Sequence, residues 1–204
     1  MPHPETDRTR VAMVRHGQTD WNLAGRIQGA TDVPLNRTGI EQAHATAESL
    51  RGQDWGLLLA SPLERARVTA EIIAAELGLD APVLIPELHE RAFGPLEGLT
   101  PDERQQRFQD RRDLDGVETT GQVADRAQPA IDREVQRHPG AHVLVVAHGG
   151  VIGSLLLRVT QGRLPRPEDV IPNGAVNEFG IDAQGGWSLL AYAARPSDLY
   201  RAMP

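Results

Sequence analysis

Cysteine and lysine are both missing from this 204-residue chain. Without cysteine there is no disulfide, no thiolate nucleophile and no cysteine-ligated metal, and cysteine usage says nothing about redox compartment. All 21 basic side chains are arginine, which reads as composition bias of the genome rather than as function. Net positive charge is also lacking: the formal charge is -7 and the sequence pI about 5.5. That argues against non-specific binding to nucleic acid or to an anionic membrane. No apolar run approaches the roughly 20 residues that span a bilayer. The opening stretch MPHPETDRTR is polar and carries no apolar signal-peptide core, so the cytoplasm is the expected location.

What is present is ordinary for a folded chain, with 40% hydrophobic and 24% charged residues. No internal repeat or low-complexity linker interrupts it, so a single domain over residues 1–204 is expected. Short apolar runs at residues 11–14, 56–60, 82–85 and 142–147 read as strands. Helical spacing predicts helices over 38–50, with Ile40, Ala43, Ala47 and Leu50 on one stripe, and over 63–77, closed by Gly78. Further helices are expected at 101–110 (capped by Thr100), 122–136 and 151–159, and closing strands at 175–181 and 187–193. Strands alternating with helices predict an α/β chain: a three-layer α/β/α sandwich with a mostly parallel central sheet. The polar segment at about 91–118 falls outside the alternation and is a candidate lid. The tail after residue 194 is open to three uses: covering the sheet edge, joining a homodimer contact, or staying loose.

Three strand ends carry similar chemistry. The first runs into Val14-Arg15-His16-Gly17, the second into Ala60-Ser61-Pro62-Leu63-Glu64-Arg65, and the third into Ala147-His148-Gly149-Gly150. Open α/β sheets bind ligands at the carboxyl ends of their strands. In a parallel sheet Arg15, His16, Arg65 and His148 would meet at one edge, beside the N–H groups that open helices. Forked guanidinium groups and helix N-termini suit a phosphate dianion. A histidine held there can attack phosphorus and carry the phosphoryl group covalently. The glycine after it would allow close approach of a ligand or of a neighbouring turn.

Arg15-His16-Gly17 with Thr19, Trp21 and Asn22 resembles the first motif of the histidine phosphatase superfamily, the phosphoglycerate mutase-like proteins. Ser61-Pro62-Leu63-Glu64-Arg65-Ala66 with Thr69-Ala70 resembles the second. Leu88-His89-Glu90-Arg91 with Phe93-Gly94 and Glu97-Gly98, then Glu118-Thr119 with Arg126, and finally residues 143–150 follow in the family's order. The resemblance implies that His16 becomes phosphohistidine and that Arg15, Arg65 and His148 hold the phosphate oxygens. It also implies that Glu90 protonates the leaving oxygen, and that Asn22 and Gly149 add hydrogen bonds to the phosphate. Glu87 and Glu97 are the neighbouring carboxylates, expected at the surface or in structural pairs. Trp21 is expected to pack under the phosphate loop, Trp55 and Trp187 in or near the core. His3, His44, His138 and His142 are expected outside the chemistry, and His89 at the surface or the mouth.

Gln18, Gly150 and Phe93 stand where the family's mutases usually carry glutamate, asparagine and tyrosine, and the lid is shorter than theirs. A short lid shields phosphohistidine from water less well. The expected activity is therefore a histidine acid-type phosphatase, a metal-independent phosphomonoesterase acting on a small phosphorylated metabolite. No cofactor and no metal are expected, because an arginine-rich site without carboxylates beside its histidines suits an anion. The alternatives are mutase-type phosphoryl transfer and a phosphate- or phosphoprotein-binding module without turnover. Arg104, Arg107, Arg111 and Arg112 read as a solvated lid face, or as one or two side chains reaching a substrate carboxylate or second phosphate.

Overall fold

The computed structural model describes residues 8–108, 114–193 and 195–196. Its first strand, β1 (Thr9–Arg15), buries four consecutive apolar residues, Val11 to Val14, and alternates them between two cores. Val11 and Met13 face one apolar cluster, Ala12 and Val14 the other. Continuous burial of this kind is what a strand covered on both faces requires.

The chain then alternates as expected. A one-turn helix α1 (Asp20–Leu23) precedes α2 (Arg37–Ser49), β2 (Trp55–Ala60), α3 (Glu64–Leu77) and the two-residue β3 (Val83–Leu84). Next come α4 (Pro101–Phe108), α5 (Thr120–Arg137), β4 (His142–Ala147) and α6 (Gly149–Val159). The strands β5 (Asp169–Val170), β6 (Val176–Ile181), β7 (Trp187–Ala191) and β8 (Arg195–Pro196) complete the order. The main sheet is six-stranded in the order β3-β2-β4-β1-β6-β7. Its first four strands are parallel, and β6 and β7 add antiparallel neighbours, so the sheet is mixed. Helices α2 and α3, with Leu50 just past the end of α2, bury Ala47, Ala66, Ala70 and Ile73 on one face. Helices α5 and α6 bury Val123, Ala127, Ile131, Ile152 and Leu155 on the other. This is the α/β/α sandwich expected from the alternation. No helix among the described residues is long and apolar enough to cross a membrane.

The structure differs from the local expectations in three places. Ile40 is 41% exposed, because α2 turns its alanine stripe, Ala43 and Ala47, to the sheet instead. Helix α6 begins two residues earlier than its apolar periodicity, with His148 as its N-cap. Helix α1 and the small β5–β8 sheet had no periodicity to announce them, being four and two residues long. In the lid segment, α4 is described over Pro101–Phe108, and residues 109–113, Arg111 and Arg112 among them, lie outside the described residues. In the tail, Arg195 and Pro196 pair with Val170 and Asp169, and residues 197–204 lie outside the described ones.

Candidate active site

Parallel pairing places three strand ends side by side. Arg15 is in register with Ala147, and Ala60 with Val146. The chain leaves each strand with one more ladder-like bond, His16 N to Ala147 O at 3.0 Å and Ser61 N to Val146 O at 3.0 Å. His16 and His148 are thereby buried at one edge, with ring centroids 5.1 Å apart and planes inclined by 59°. His16 Nδ1 lies 2.7 Å from Gly17 O, an acceptor only, so this nitrogen carries the proton and Nε2 keeps its lone pair. Burial first, then the charges of Arg15 and Arg65, hold the imidazole well below its ordinary value of 6.5, and so neutral. Burial, then Arg65, does the same for His148.

His148 Nε2 lies 2.7 Å from Ser61 Oγ. That hydroxyl accepts from Leu63 N at 3.3 Å, and donating its own proton to His148 Nε2 satisfies both groups, which assigns the ring N–H to Nδ1. The buried nitrogens His148 Nδ1, Arg15 Nε and Arg65 Nε have no protein hydrogen-bond partner among the described residues. Buried donors are normally paired, so three orphans around two imidazoles call for an acceptor-rich ligand.

The arginines are held from behind. Arg65 is fully buried at the start of α3; its Nη1 donates to Thr31 O at 2.9 Å and its Nη2 to Gly29 O at 2.8 Å. Arg15 Nη1 donates to Ile171 O at 2.5 Å, and a Cβ on Gly149 would stand 3.4 Å from Arg15 Nε. Thr69 Oγ1 donates to Arg65 O at 2.7 Å and accepts from Gly17 N at 3.1 Å, joining the His16 turn to α3.

Glu90 is the carboxylate of this cluster and is 9% exposed. Its Oε1 accepts from Arg91 N at 2.7 Å and its Oε2 from Gly150 N at 3.2 Å. Its backbone is clamped by Arg126, whose guanidinium donates to the carbonyls of Glu87, His89 and Glu90 and pairs with Glu118 at 2.9 Å. The other two acids stand elsewhere. Glu87 pairs with Arg133 at 3.2 Å. Glu97 accepts from Phe93 N, Ala30 N, Thr31 N and Thr31 Oγ1, stitching the lid segment to the loop that carries Gly29 and Thr31.

Asn22 sits one bridge away from His16. Its Oδ1 closes the α1 capping box with Thr19 N at 3.1 Å and accepts from Asn173 Nδ2 at 3.2 Å. Asn173 Nδ2 also donates to His16 O at 2.9 Å. Asn173 and Ser61 carry no assigned role in the sequence reading. Asn173 lies in Pro172-Asn173-Gly174, where the only visible signal is a turn. Trp21 has its ring end against Gly98, where a Cβ would meet it at 3.4 Å. Trp55 is buried in the core, and Trp187 packs edge-on against Phe179. Arg104 and Arg107 are exposed on α4.

A family model, the histidine phosphatase superfamily (branch 1), matches residues 11–194. The chain belongs to that superfamily. Among its relatives, the uncharacterized phosphatase PhoE of Bacillus subtilis is 41% identical over 154 residues, 76% of this chain and 79% of PhoE. A metal-independent phosphoserine phosphatase of Arabidopsis thaliana is 38% identical over 169 residues, 77% of this chain and 71% of that protein. Among solved structures, mycobacterial glucosyl-3-phosphoglycerate phosphatase in complex with VO3 superposes with a TM-score of 0.80 at 29% identity, covering 92% of this chain and all of that one. The chain is thus a phosphatase of the phosphoglycerate mutase-like class.

Proposed function

We propose that the chain is a metal-independent phosphomonoesterase that hydrolyses a small phosphorylated metabolite through phosphohistidine at His16. The observation that carries this reading is the neutral, buried His16 beside three orphaned donors, with Glu90 at the rim. His16 Nε2 attacks phosphorus, and the ester P–O bond breaks. Glu90, protonated at this step, gives its proton to the leaving oxygen. Arg15, Arg65 and His148 Nδ1 hold the equatorial oxygens, with Asn22 and the N–H groups at the start of α6 adding bonds. A fixed donor of this kind typically contributes about 10²–10³ in rate. Glu90, now ionised, takes a proton from water as the water attacks phosphorus. Phosphate leaves and His16 is restored.

Attack on phosphorus uses the Nε2 lone pair, so Nε2 must stay unprotonated; burial, with the two arginines, favours that form. The relatives' names support esters that also carry a carboxylate. Arg91 lies beside Glu90 with its guanidinium 5.0 Å from the centre of the Phe93 ring, and it is the cation such a carboxylate would meet.

Phosphate release from phosphoserine, 3-phosphoglycerate, neutral sugar phosphates and p-nitrophenyl phosphate, measured in chelator for wild type and His16→Ala, tests the proposal. Wild type should turn over in chelator, and His16→Ala should lose at least about 10³-fold. No release from any ester, or release that needs an added divalent metal, would sink it.

A further inference from the structure

Gly150 is the second residue of α6 and its backbone is not left-handed, so neither a turn nor a positive φ asks for glycine there. In a helix alanine is favoured over glycine by about 1 kcal/mol. The neighbours supply the reason for glycine. A Cβ on Gly150 would lie 2.4 Å from Glu90 Oε1, 3.2 Å from Glu90 Cδ and 3.0 Å from Arg91 Cβ. In that space the Gly150 N–H donates to Glu90 Oε2 at 3.2 Å. Arg126 holds the carbonyls of residues 87, 89 and 90, so the main chain beneath Glu90 is not free to follow a displaced carboxylate.

We propose that Gly150 is a positioning residue for the reaction: its missing side chain seats the Glu90 carboxylate against the start of α6, at the edge of the His16–His148 pair. This rests on the assignment of Glu90 as proton donor. A side chain at 150 would push the carboxylate out by about 1 Å to reach van der Waals contact, and a misplacement of that size costs up to about 10²-fold in rate. The loss would fall on esters with poor leaving groups, which need the proton. An aryl phosphate leaves without one. Gly150 would thus act as a determinant of which phosphomonoesters are turned over. The tightest contact is with the end of a flexible side chain, and Arg91 Cβ at 3.0 Å need give only a few tenths of an ångström, so the variant is expected to fold.

The test compares kcat/KM for phosphoserine and for p-nitrophenyl phosphate in wild type, Gly150→Ala, Glu90→Gln and Gly153→Ala. Gly153 is a helical control on the same element, where a Cβ meets nothing closer than Pro165 Cγ at 3.9 Å. Because kcat/KM reports binding and the steps up to loss of the leaving group, the contrast between the two esters isolates proton donation. Gly150→Ala should lose about 10- to 100-fold on phosphoserine and less than about threefold on the aryl ester. Glu90→Gln should show the same selectivity, in the range of about 10²–10⁴. Gly153→Ala should match wild type on both. Retained aryl activity also reports that Gly150→Ala is folded. If Glu90→Gln discriminates between the esters and Gly150→Ala does not, the role of Gly150 is overturned and that of Glu90 stands. If Glu90→Gln loses both activities equally, both assignments fail.

Discussion

Burial, with Arg15 and Arg65 close by, keeps the His16 ring neutral; burial with Arg65, His16 and Arg15 does so for His148. Glu90 is the acid facing the two arginines. Both imidazoles are depressed below 6.5, so below that pH the unfolded chain takes up protons that the folded chain refuses. Stability from this source is fully present above about pH 6.5 and declines as pH falls towards the folded values. Urea midpoints between pH 7.5 and 5.5 should therefore drop more steeply in wild type than in His148→Gln; parallel slopes would contradict it. Arg126 is the second residue-scale test. Its side chain is 16% exposed and serves three carbonyls and Glu118 at once. Arg126→Ala should cost about 3 kcal/mol in urea unfolding, since it strands partners that are mostly buried. Motif position had marked Arg126, but only the folded loop shows that its targets are backbone carbonyls.

At the scale of elements, the glycine after His16 serves a neighbouring turn. A Cβ on Gly17 would lie 2.2 Å from Gly39 O, and one on Gly39 would lie 2.1 Å from Gln18 O. Helix α2 therefore presses its first turn directly onto the nucleophile loop, capped there by Asn36 Oδ1 on Gly39 N at 2.9 Å. Backbone atoms on both sides cannot yield as a side-chain tip would. Gly39→Ala should destabilise by about 1–3 kcal/mol and lower turnover by shifting His16, a pairing that stability and kcat measured together will check. An unchanged kcat in a destabilised variant would separate the contact from the chemistry. The two uses left open by the residue pattern, ligand or turn, differ only in what packs on the glycine, and no local pattern encodes that. Ile40 shows the same gap. It fits a helical stripe, yet α2 approaches the sheet through Ala43 and Ala47, because small side chains let the helix sit close.

On the scale of the whole molecule, a ligand that bridges strand ends should bind only the folded chain. Phosphate or vanadate at 100 times its dissociation constant should add about 2.7 kcal/mol, or roughly 5–10 °C in Tm for a chain of this size. Arg65→Ala should abolish the shift, and chelator should leave it in place. A shift that survives Arg65→Ala would put the anion elsewhere. The dependence on Arg65 follows from topology, because its anchors, Gly29 O and Thr31 O, belong to a loop that Glu97 ties to the lid segment.

Local order along the chain determined the apolar runs, the helix stops at Gly78 and the motifs that carry Arg15, His16, Arg65, Glu90 and His148, because each depends on neighbours within a few residues. Tertiary structure decided the rest. The order β2-β4-β1 sets two histidines 132 positions apart with their rings 5.1 Å from one another. It also brings Asn173 onto the His16 carbonyl and Gly150 under the Glu90 carboxylate. These are contacts between distant segments, and their strength depends on packing and exclusion of water that no single segment possesses alone.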